Sequence, residues 1–505
     1  MIDLQPASFE DFLREAKRGN VVPVVRSVLA DLQTPVGAFL RVADGARYAF
    51  LLESIEGGER VARYSFLGAN PEMVVRGRGG DTVIERDGER ETLRGVRAIE
   101  FARDYFRDRE LAHRSGLSPL AGGAVGYLAY EAARWFEPTL AAKGMSRAES
   151  DDAVWMFYRT VLAFDRVRQR IEINSVVLTE EATGSHTRLR QLYEKAIAET
   201  CRIEKLLTDN NPPQILRATQ QASGAARQSS FESNWTRRDF EDAVRRAQER
   251  IAAGDCYQVV LSQRFSKKTA ADPVAIYRAL RATNPAPYMY FFRLGDEAII
   301  GASPEMLVRC RGQRLDYRPI AGTRKRGATE AEDWLLGEEL RADEKEVAEH
   351  TMLVDLGRND LGRVADYGSV EVEDLMTIER YSHVQHLVTS LRARLRDGLD
   401  RFDALASCFP AGTVTGAPKV RAMEMIRALE PHARGIYAGA ILYLDYAQNL
   451  DSCIAIRTIL MREGRVFVQA GAGVVADSVP EREYEETVSK ARALLRAIEM
   501  AEQGL

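Results

Sequence analysis

Cysteine is scarce in this sequence. Only five of the 505 residues are cysteines, and they are scattered singly with no CxxC spacing. This pattern argues against a zinc site and is typical of a protein that works in a reducing cytoplasm. The five are Cys201, Cys256, Cys310, Cys408 and Cys453.

Long apolar runs and an excess of positive charge are also missing. No run of about 18 uncharged apolar residues occurs, so we expect no segment that spans a bilayer. The first residues, MIDLQPASFEDFLREAKRGN, lack the basic start and apolar core of a signal peptide. The net charge of −4 excludes a general attraction to nucleic acid or anionic membranes. We therefore expect a cytoplasmic protein with neither as a partner.

The composition that remains is that of a large globular protein. Hydrophobic residues make up 45% and charged residues 29% of the chain. A chain of 505 residues is too long for one ordinary core, so we expect two domains or one large composite. The sequence predicts an N-terminal part at 1–207, a flexible linker at 208–235 rich in Asn, Pro, Gln and Ser, and a C-terminal part at 236–505.

Short β-rich runs occur in both parts. Residues 82–93 predict a hairpin around Asp87-Gly88, and residues 154–177 predict another hairpin pair. The last third contains three β-rich runs at 436–444, 453–460 and 465–475, separated by short polar turns. Connections this short cannot cross over a parallel sheet, so the pattern predicts an antiparallel meander.

Two pairs of glutamates stand out on predicted helices. Arg341–Arg363 is expected to form one helix with Glu346 and Glu349 on the same side, because residues three apart share a helix face. Glu483 and Glu486 repeat this spacing near the C-terminus. Two such pairs facing each other would make a four-carboxylate pocket able to hold Mg²⁺ through oxygens and waters. The alternative for each pair alone is a solvated helix face.

A glycine-containing turn precedes the second of these helices. That helix is predicted to begin at Ser478, with Pro480 in its first turn. Gly471-Ala472-Gly473 lies just before it, where bare backbone N–H groups could bind an anion. A nucleotide site is an alternative, but the third glycine of such a motif is missing. A carboxylate-binding turn is the favoured interpretation.

Other candidate residues are polar groups in apolar or glycine-rich surroundings. Arg457 lies inside CIAIRTIL, where it either faces solvent or is buried with an anion, and a guanidinium fits a substrate carboxylate. His386 precedes an apolar run and is a candidate for proton transfer, whereas His350, beside Glu349, is expected to be structural. FPAGTVTGAPK at 409–419 is typical of a substrate-contacting loop, the alternative being a helix-entry turn.

Taken together, these stretches resemble the chorismate-utilising enzymes, and within them the large, aminating subunit of anthranilate synthase. The resemblance covers nearly the whole chain and is strongest over 236–495. The motifs that carry it are GDCYQVVLSQR at 254–264, NPAPYMYF at 284–291, GASPE at 301–305, PIAGTRKRG at 319–327, KEVAEHTMLVDLGRNDLGRV at 345–364, HLV at 386–388, FPAGTVTGAPK at 409–419 and QAGAGVVADSVPEREYEETVSKA at 469–491.

This resemblance implies an α+β fold in which two antiparallel β-sheets pack together with helices on the outside and both halves of the chain share the framework. It implies Mg²⁺ held by Glu349 and Glu486, with Glu346 and Glu483 completing the shell directly or through water. It implies Glu305 as the acid that protonates the departing C4 oxygen of chorismate, and His386 in the later loss of the C2 proton. The implied substrate contacts are Gly322, Thr323, Thr413, Tyr437, Arg457, Gly471, Ala472, Gly473 and Lys490, with Thr413 counted among the catalytic residues.

Two positions separate the relatives within the family. Isochorismate and salicylate synthases carry a lysine base where this chain has Gln258, so activation of water is not expected. Aminodeoxychorismate synthases often carry a nucleophilic lysine where this chain has Ala321. The expected reaction is therefore chorismate plus ammonia giving anthranilate and pyruvate, the first committed step of tryptophan biosynthesis. Aminodeoxychorismate synthase is the alternative enzyme, and a non-catalytic tryptophan-sensing homologue is the alternative of another class.

The resemblance also implies partners. The family takes ammonia from a glutamine amidotransferase subunit, and no such domain is expected within this chain, so we expect a hetero-oligomer. LLES at 51–54 resembles the tryptophan-feedback element of the family. Ser54 with Pro287, Tyr288 and Met289 resembles a tryptophan pocket, which would be allosteric because it is remote from catalysis.

Overall fold

The structure of the chain is a computed structural model that describes residues 3–55, 63–112, 114–142, 150–209, 231–381 and 384–504. The predicted linker at 208–235 lies mostly outside these ranges. None of the described helices combines the length and the apolar character needed to cross a membrane.

The described residues form twelve α-helices and three short 3₁₀ turns. The helices are α1 (Phe9–Glu15), α2 (Pro35–Val42), α3 (Ala98–Arg107), α4 (Pro138–Ala142), α5 (His186–Thr208), α6 (Arg237–Ala252), α7 (Pro273–Thr283), α8 (Glu330–Ala342), α9 (Glu344–Gly362), α10 (Arg401–Cys408), α11 (Lys419–Leu429) and α12 (Pro480–Gln503). The 3₁₀ turns are Tyr130–Trp135, Thr179–Ala182 and Gly412–Val414.

The same residues form 27 strands. They are β1 (Asp3–Gln5), β2 (Val21–Leu29), β3 (Tyr48–Glu53), β4 (Tyr64–Ala69), β5 (Met73–Arg78), β6 (Asp81–Arg86), β7 (Glu89–Leu93), β8 (Gly123–Leu128), β9 (Ala153–Tyr158), β10 (Thr160–Asp165), β11 (Arg170–Leu178), β12 (Glu232–Ser233), β13 (Gln258–Lys268), β14 (Tyr288–Leu294), β15 (Glu297–Ser303), β16 (Met306–Arg311), β17 (Arg314–Tyr317), β18 (Ile320–Lys325), β19 (Glu371–Val372), β20 (Thr377–Arg380), β21 (Val384–Val388), β22 (Leu391–Arg394), β23 (Gly416–Ala417), β24 (Ala440–Asp445), β25 (Leu450–Ile454), β26 (Thr458–Arg462) and β27 (Arg465–Val474).

These strands build two large sheets and one small sheet. The first sheet has the order β1-β2-β11-β10-β4-β3-β14-β15-β26-β27-β13-β12, with β23 also paired to β13. The second sheet has the order β19-β22-β17-β16-β25-β24-β8-β9-β5-β6-β7, and the small sheet has the order β18-β21-β20. The neighbouring strands of the ladders run antiparallel, as short turns and hairpins require.

The two large sheets pack face to face over a shared core. Phe50 and Tyr290 of the first sheet lie in one buried group with Val125 and Tyr443 of the second. The apolar sides of α2, α7 and α12 cover the outer face of the first sheet, and α3 and α10 cover that of the second. The predicted architecture of two packed antiparallel sheets with helices outside is confirmed.

Both large sheets contain strands from before and after the predicted linker. In the first sheet, β3 pairs with β14, so that Leu51 faces Phe291. In the second sheet, β8 pairs with β24. The two sequence parts therefore share one framework, and the boundaries at 207 and 236 stay a prediction about the sequence.

Two predictions about helices were wrong. Arg341–Arg363 is not one helix, because the Asp343 side chain accepts hydrogen bonds from the backbone N–H groups of Lys345 and Glu346 and so caps a new helix, α9. Ser478 is not the cap of α12. Val479 occupies that position, and the Ser478 hydroxyl accepts from the backbone of Val475 instead.

The predicted hairpin at 154–177 and meander at 436–475 are both divided between sheets. β9 belongs to the second sheet, whereas β10 and β11 belong to the first. In the same way, β24 and β25 lie in the second sheet and β26 and β27 in the first. Alternation within an apolar run does not indicate where a chain crosses from one sheet to the other, and this crossing determines the position of Arg457.

Candidate active site

A buried carboxyl group lies between two strands of different sheets. Glu305 follows β15 of the first sheet and precedes β16 of the second, and its side chain is buried. Burial raises the pKa of Glu305 to about 8, although the Thr413 hydroxyl, the Ile320 backbone N–H and the charge of Lys490 act in the opposite direction. At neutral pH the group is therefore mostly protonated and can donate a proton.

The Thr413 hydroxyl is close to this carboxyl. Its Oγ1 atom is buried and has no well-formed hydrogen bond to any described residue. The 3₁₀ turn Gly412–Val414 holds it, in the loop predicted to contact substrate. The hydroxyl therefore lies against the Glu305 carboxyl, whose pKa it lowers.

The small sheet places His386 beside Thr323. The two residues face each other across β21 and β18. His386 Nδ1 lies 2.9 Å from the Gly322 carbonyl oxygen and 3.1 Å from Thr323 Oγ1. Because a carbonyl only accepts, Nδ1 carries the proton and Nε2 is the free basic nitrogen. Burial lowers the pKa of His386, and the nearby Arg457 charge lowers it further, so the ring is neutral at pH 7.

Gly322 brings this small sheet against the acidic helix α9. Its φ of +63° is in the left-handed region, and a Cβ there would lie 2.9 Å from Leu340 Cδ1 and 3.0 Å from Glu346 Oε2. A side chain at this position would collide with the packing of both residues. The glycine therefore keeps the backbone of the small sheet next to the Glu346 carboxylate.

Arg457 occupies the crossing between the two large sheets. It has a φ of 48°, and its side chain is half-buried. The guanidinium makes no ion pair or hydrogen bond with the described residues, and burial lowers its pKa. A partly desolvated cation of this kind is stabilised when a carboxylate arrives.

Gly471 and Gly473 lie on the same face of β27, since alternate residues of a strand share a face. A Cβ on Gly471 would lie 2.6 Å from Tyr437 Oη, and one on Gly473 would lie 2.5 Å from Gln258 Nε2. The lack of a side chain at these two positions lets Tyr437 and Gln258 lie directly against this backbone. Ala472 between them points to the opposite face and is buried, so any ligand contact it makes goes through its backbone.

Lys490 on α12 connects these glycines with the acidic residues. Its Nζ atom donates to the Gly471 carbonyl at 3.1 Å and lies 2.7 Å from Glu486 Oε1. Burial raises the pKa of Tyr437 to about 12, and the Glu486 charge contributes to this rise. Tyr437 therefore stays a neutral hydroxyl at the edge of the site.

The four predicted glutamates are electrostatic neighbours. The surrounding protein raises the pKa of Glu349, although its side chain keeps contact with solvent, and Glu346 and Glu486 raise it further. Burial also raises the pKa of Glu483, with Glu486 adding to the effect. Carboxylates that repel one another suit a divalent cation with oxygen ligands. Within the described ranges, however, no three acidic, histidine or cysteine side chains stand close enough to hold a metal ion together.

The residues compared with a tryptophan pocket also meet. Ser54 follows β3, and its Oγ atom is buried without a hydrogen-bond partner in the described part of the chain. β3 pairs with β14, which carries Tyr288 and Met289, and Pro287 precedes that strand. Tyr288 also faces Ser303 of β15, two residues before Glu305. These residues are thus one strand away from the Glu305 carboxyl, closer than the prediction of a pocket remote from it.

His350 is fully buried on α9, with Nε2 2.6 Å from Thr389 Oγ1, as a structural histidine would be.

Sequence reasoning did not single out Glu430 and Arg434, which form a buried ion pair behind Tyr437. Their spacing of four residues is common on helix surfaces, so the sequence contained no signal of burial.

With this geometry in view, the comparisons with known proteins define the class of protein. The chain belongs to the chorismate binding enzyme family, whose model matches residues 47–496. It is 45% identical over 489 residues to anthranilate synthase component 1 of Acetivibrio thermocellus, covering 96% of this chain and 97% of that protein. It is also 45% identical to the component 1 of Thermus thermophilus, covering 96% of this chain and all of that protein.

Solved structures show the same relationship to this family. Anthranilate synthase component I from Streptococcus pneumoniae superposes with a TM-score of 0.72 at 34% identity, covering 92% of this chain and 98% of that one. The menaquinone-specific isochorismate synthase of Escherichia coli superposes with a TM-score of 0.67 at 20% identity, covering 97% of this chain and 98% of that one, which shows a common fold.

Proposed function

We propose that this chain catalyses the anthranilate synthase reaction, in which chorismate and ammonia give anthranilate and pyruvate. The observation that carries the proposal is the buried carboxyl of Glu305, whose pKa is raised to about 8, together with the unpaired guanidinium of Arg457. Chorismate has two carboxylates and a hydroxyl that leaves. A free cation can bind a carboxylate, and an acid can protonate the leaving hydroxyl. The two relatives compared above, both named anthranilate synthase component 1, support the same reaction.

The substrate carboxylates bind to Arg457, to Lys490 and to the backbone around Gly471 and Gly473. The guanidinium has no competing anion among the described residues, so it is free to form a paired hydrogen bond with one carboxylate. Tyr437 bounds this side of the site with a neutral hydroxyl. These contacts orient the ring before any bond changes.

Glu305 then acts as the general acid. Ammonia adds at ring C2 while the C4 hydroxyl departs, and a proton from Glu305 turns that leaving group into water. The Thr413 hydroxyl next to this carboxyl helps to orient the substrate. Protonation of a leaving oxygen by a positioned acid contributes about 10²- to 10⁴-fold in rate.

His386 acts in the second half of the reaction. Its Nδ1–H is held by the Gly322 carbonyl, which leaves the basic Nε2 to accept the proton from C2. Loss of that proton forms the aromatic ring as the C3–O bond breaks, and the enolpyruvate that leaves takes up a proton on its methylene carbon to become pyruvate. The lowered pKa of His386 keeps the imidazole neutral and ready to accept.

Mg²⁺ is part of this proposal. Glu349 and Glu486 would hold it, with Glu346 and Glu483 directly or through water. Burial and the charge of Glu486 raise the pKa values of both Glu349 and Glu483, which supports this donor set. When bound, the cation supplies positive charge opposite the ring carboxylate of chorismate.

We also propose the partner and the inhibitor. The name component 1 in the relatives implies a second component, and we propose a glutamine amidotransferase subunit that delivers ammonia, in a hetero-oligomer. We propose tryptophan as a feedback inhibitor bound by Ser54, Pro287, Tyr288 and Met289. All five cysteines are free, which supports a cytoplasmic location.

The test is an assay with chorismate, Mg²⁺ and ammonium salt, followed by product fluorescence and mass. Fluorescent anthranilate formed by this chain alone is the expected result. If the aromatic product appears only after a separate lyase is added, the chain is an aminodeoxychorismate synthase. That alternative is not favoured, because buried Ala321 offers no nucleophile on β18. Binding of chorismate without turnover would indicate the non-catalytic alternative.

A further inference from the structure

A buried ion pair lies behind the substrate side of the site. Arg434 Nη2 is 2.6 Å from Glu430 Oε1, and Arg434 Nε is 2.9 Å from Glu430 Oε2. The two side chains are 1% and 4% exposed. Both residues lie in the loop after α11 that leads to Tyr437. Burying an ion pair this deeply carries a desolvation penalty. Whether the pair stabilises the protein therefore depends on the other hydrogen bonds that the two side chains make.

Arg434 contacts three segments that line the site. Its Nη1 donates to the Val414 carbonyl at 2.8 Å, and its Nη2 donates to the Val260 carbonyl, also at 2.8 Å. Its guanidinium lies 5.5 Å from the ring centre of Tyr437. Val414 is the residue after Thr413, and Val260 faces Gly473 across β13 and β27. One guanidinium therefore holds three groups assigned to substrate contact.

Glu430 contacts a fourth group at the site, the strand segment opposite Gly471. Its Oε1 accepts from the Ser262 backbone N–H at 2.9 Å and from Ser262 Oγ at 2.8 Å. Ser262 faces Gly471 across the same pair of strands. The carboxylate is thus bound to the part of β13 that supports the first glycine of the substrate face.

We infer that Arg434 and Glu430 form a positioning pair, which sets the relative placement of Thr413, Tyr437, Gly471 and Gly473 without touching the substrate. The identity of that substrate rests on the proposed function, whereas the contacts do not. Lysine cannot replace the arginine, because one ammonium cannot span the Val414 carbonyl, the Val260 carbonyl and both carboxylate oxygens. A shift of about 1 Å in such groups is enough to cost about 100-fold in rate.

The loop itself has a separate anchor. Glu131 is buried, and its two oxygens accept from the backbone N–H groups of Arg434 at 2.8 Å and Gly435 at 3.1 Å. These bonds do not involve the Arg434 side chain. Truncating that side chain should therefore loosen the substrate face while the loop stays attached to the rest of the protein.

A cavity of about 400 Å³ lies against the pair, lined by Arg434, Glu430 and Tyr437 among others. It gives a small cation a route to the place left by a truncated arginine. This makes Arg434→Ala suitable for rescue with added guanidinium ion, used far below the concentrations that unfold proteins.

The experiment measures chorismate consumption, with ammonium and Mg²⁺ saturating, in Arg434→Ala, Arg434→Lys and Glu430→Gln. We expect kcat/KM for chorismate to fall about 100-fold in Arg434→Ala and to recover at least tenfold with guanidinium. We expect Arg434→Lys to stay impaired. Arg462→Ala is the matched control, because Arg462 lines the same cavity and pairs with Glu297 at 2.7 Å, away from the substrate face. It should retain kcat/KM within about twofold and should not respond to guanidinium.

Folded Arg434→Ala with the kcat/KM of the parent, or an impaired variant that guanidinium does not improve, would overturn the inference. If Arg434→Ala does not fold, the same decision falls to Glu430→Gln and Arg434→Lys: parental kcat/KM in both would overturn it, and a loss with unchanged unfolding would support it. Chorismate consumption relative to the parent tests the positioning pair, whatever the product is. The identity of the product tests the proposed function, so the inference and the proposed function can fail separately.

Discussion

Lys490 Nζ lies 2.7 Å from Glu486 Oε1 while it also donates to the Gly471 carbonyl. The two charged side chains are about half exposed, so their pairing adds little to stability. What the contact does is tie the acidic face of α12 to the glycine-lined face of β27. The carboxylate assigned to Mg²⁺ and the cation assigned to substrate therefore meet at one point.

The first prediction concerns the metal. Glu349→Gln and Glu486→Gln should each abolish Mg²⁺-dependent turnover, because an amide keeps the size of the side chain but removes the charge that a divalent cation needs. Mg²⁺ titrations followed by activity and by calorimetry are the measurement, with circular dichroism to check folding. Glu485→Gln is the control, since Glu485 is exposed and pairs with Arg237. Unchanged turnover in both site variants would refute the metal assignment.

The second prediction concerns pH and Glu305. Its pKa is raised to about 8, and the acid works only when protonated, so kcat should be highest below pH 8 and fall as pH rises through that value. Glu305→Gln should lower kcat by about 10²- to 10⁴-fold and remove this alkaline decline. The profile is measured at a constant concentration of free NH₃, because ammonia itself titrates. A Glu305→Gln enzyme with the parental profile would show that another group is the acid.

The third prediction links stability and binding at Arg457. Replacing this half-buried, unpaired guanidinium with methionine should raise the free energy of unfolding by roughly 1–3 kcal/mol, because a desolvated cation is removed. The same change should raise KM for chorismate roughly 10- to 100-fold, because a charged hydrogen bond to the substrate is lost. Urea unfolding and steady-state kinetics measure the two effects.

Arg465→Met is the control for that experiment. Arg465 begins β27 of the first sheet and pairs with Glu232 near the surface. Neither unfolding nor KM should change much. If Arg457→Met is less stable than the parent, the guanidinium has a partner that stabilises the folded state, and the carboxylate-binding role loses its support.

These sites also show how far sequence reasoning extends. The hairpin at 82–93 was predicted correctly because Asp87-Gly88 is a local turn signal, and both residues adopt positive φ. The small sheet was not predicted, because β18 pairs with β21 about 60 residues later and non-local pairing leaves no local pattern. His386 and Thr323 were both singled out, yet only this pairing brings them into contact.

Arg457 and Arg434 mark the limit in a different way. From strand alternation, the Arg457 side chain could either face solvent or be buried. The structure shows that residues 455–457 form a break between strands, where the chain crosses from one sheet to the other, and this break sets the position of the side chain. Arg434 gave no signal at all, since its burial depends on packing of the loop against Tyr130 and Tyr437. Burial of a charge is a property of the assembled fold, whereas motif spacing is a property of the chain.

The fourth prediction concerns feedback. Ser54→Ala should relieve inhibition by tryptophan and spare catalysis, because Ser54 Oγ has no partner among the described residues and its loss leaves no other group unsatisfied. Inhibition curves are compared with those of Ser175→Ala, which removes a buried serine elsewhere in the same sheet. Curves for Ser54→Ala that overlay the parental ones would contradict the assignment.

The path of that feedback can be tested as well. Tyr288 faces Ser303, which lies two residues before Glu305 in the chain. The Ser303 hydroxyl donates to the Ile454 carbonyl at 2.7 Å. A ligand that shifts β14 would therefore move the segment that carries Glu305, the proposed acid. Because coupling between two sites is reciprocal, chorismate should weaken tryptophan binding by the same factor as tryptophan weakens chorismate binding. Calorimetry of tryptophan binding with and without chorismate measures this factor, and equal affinities in the two titrations would exclude coupling along these strands.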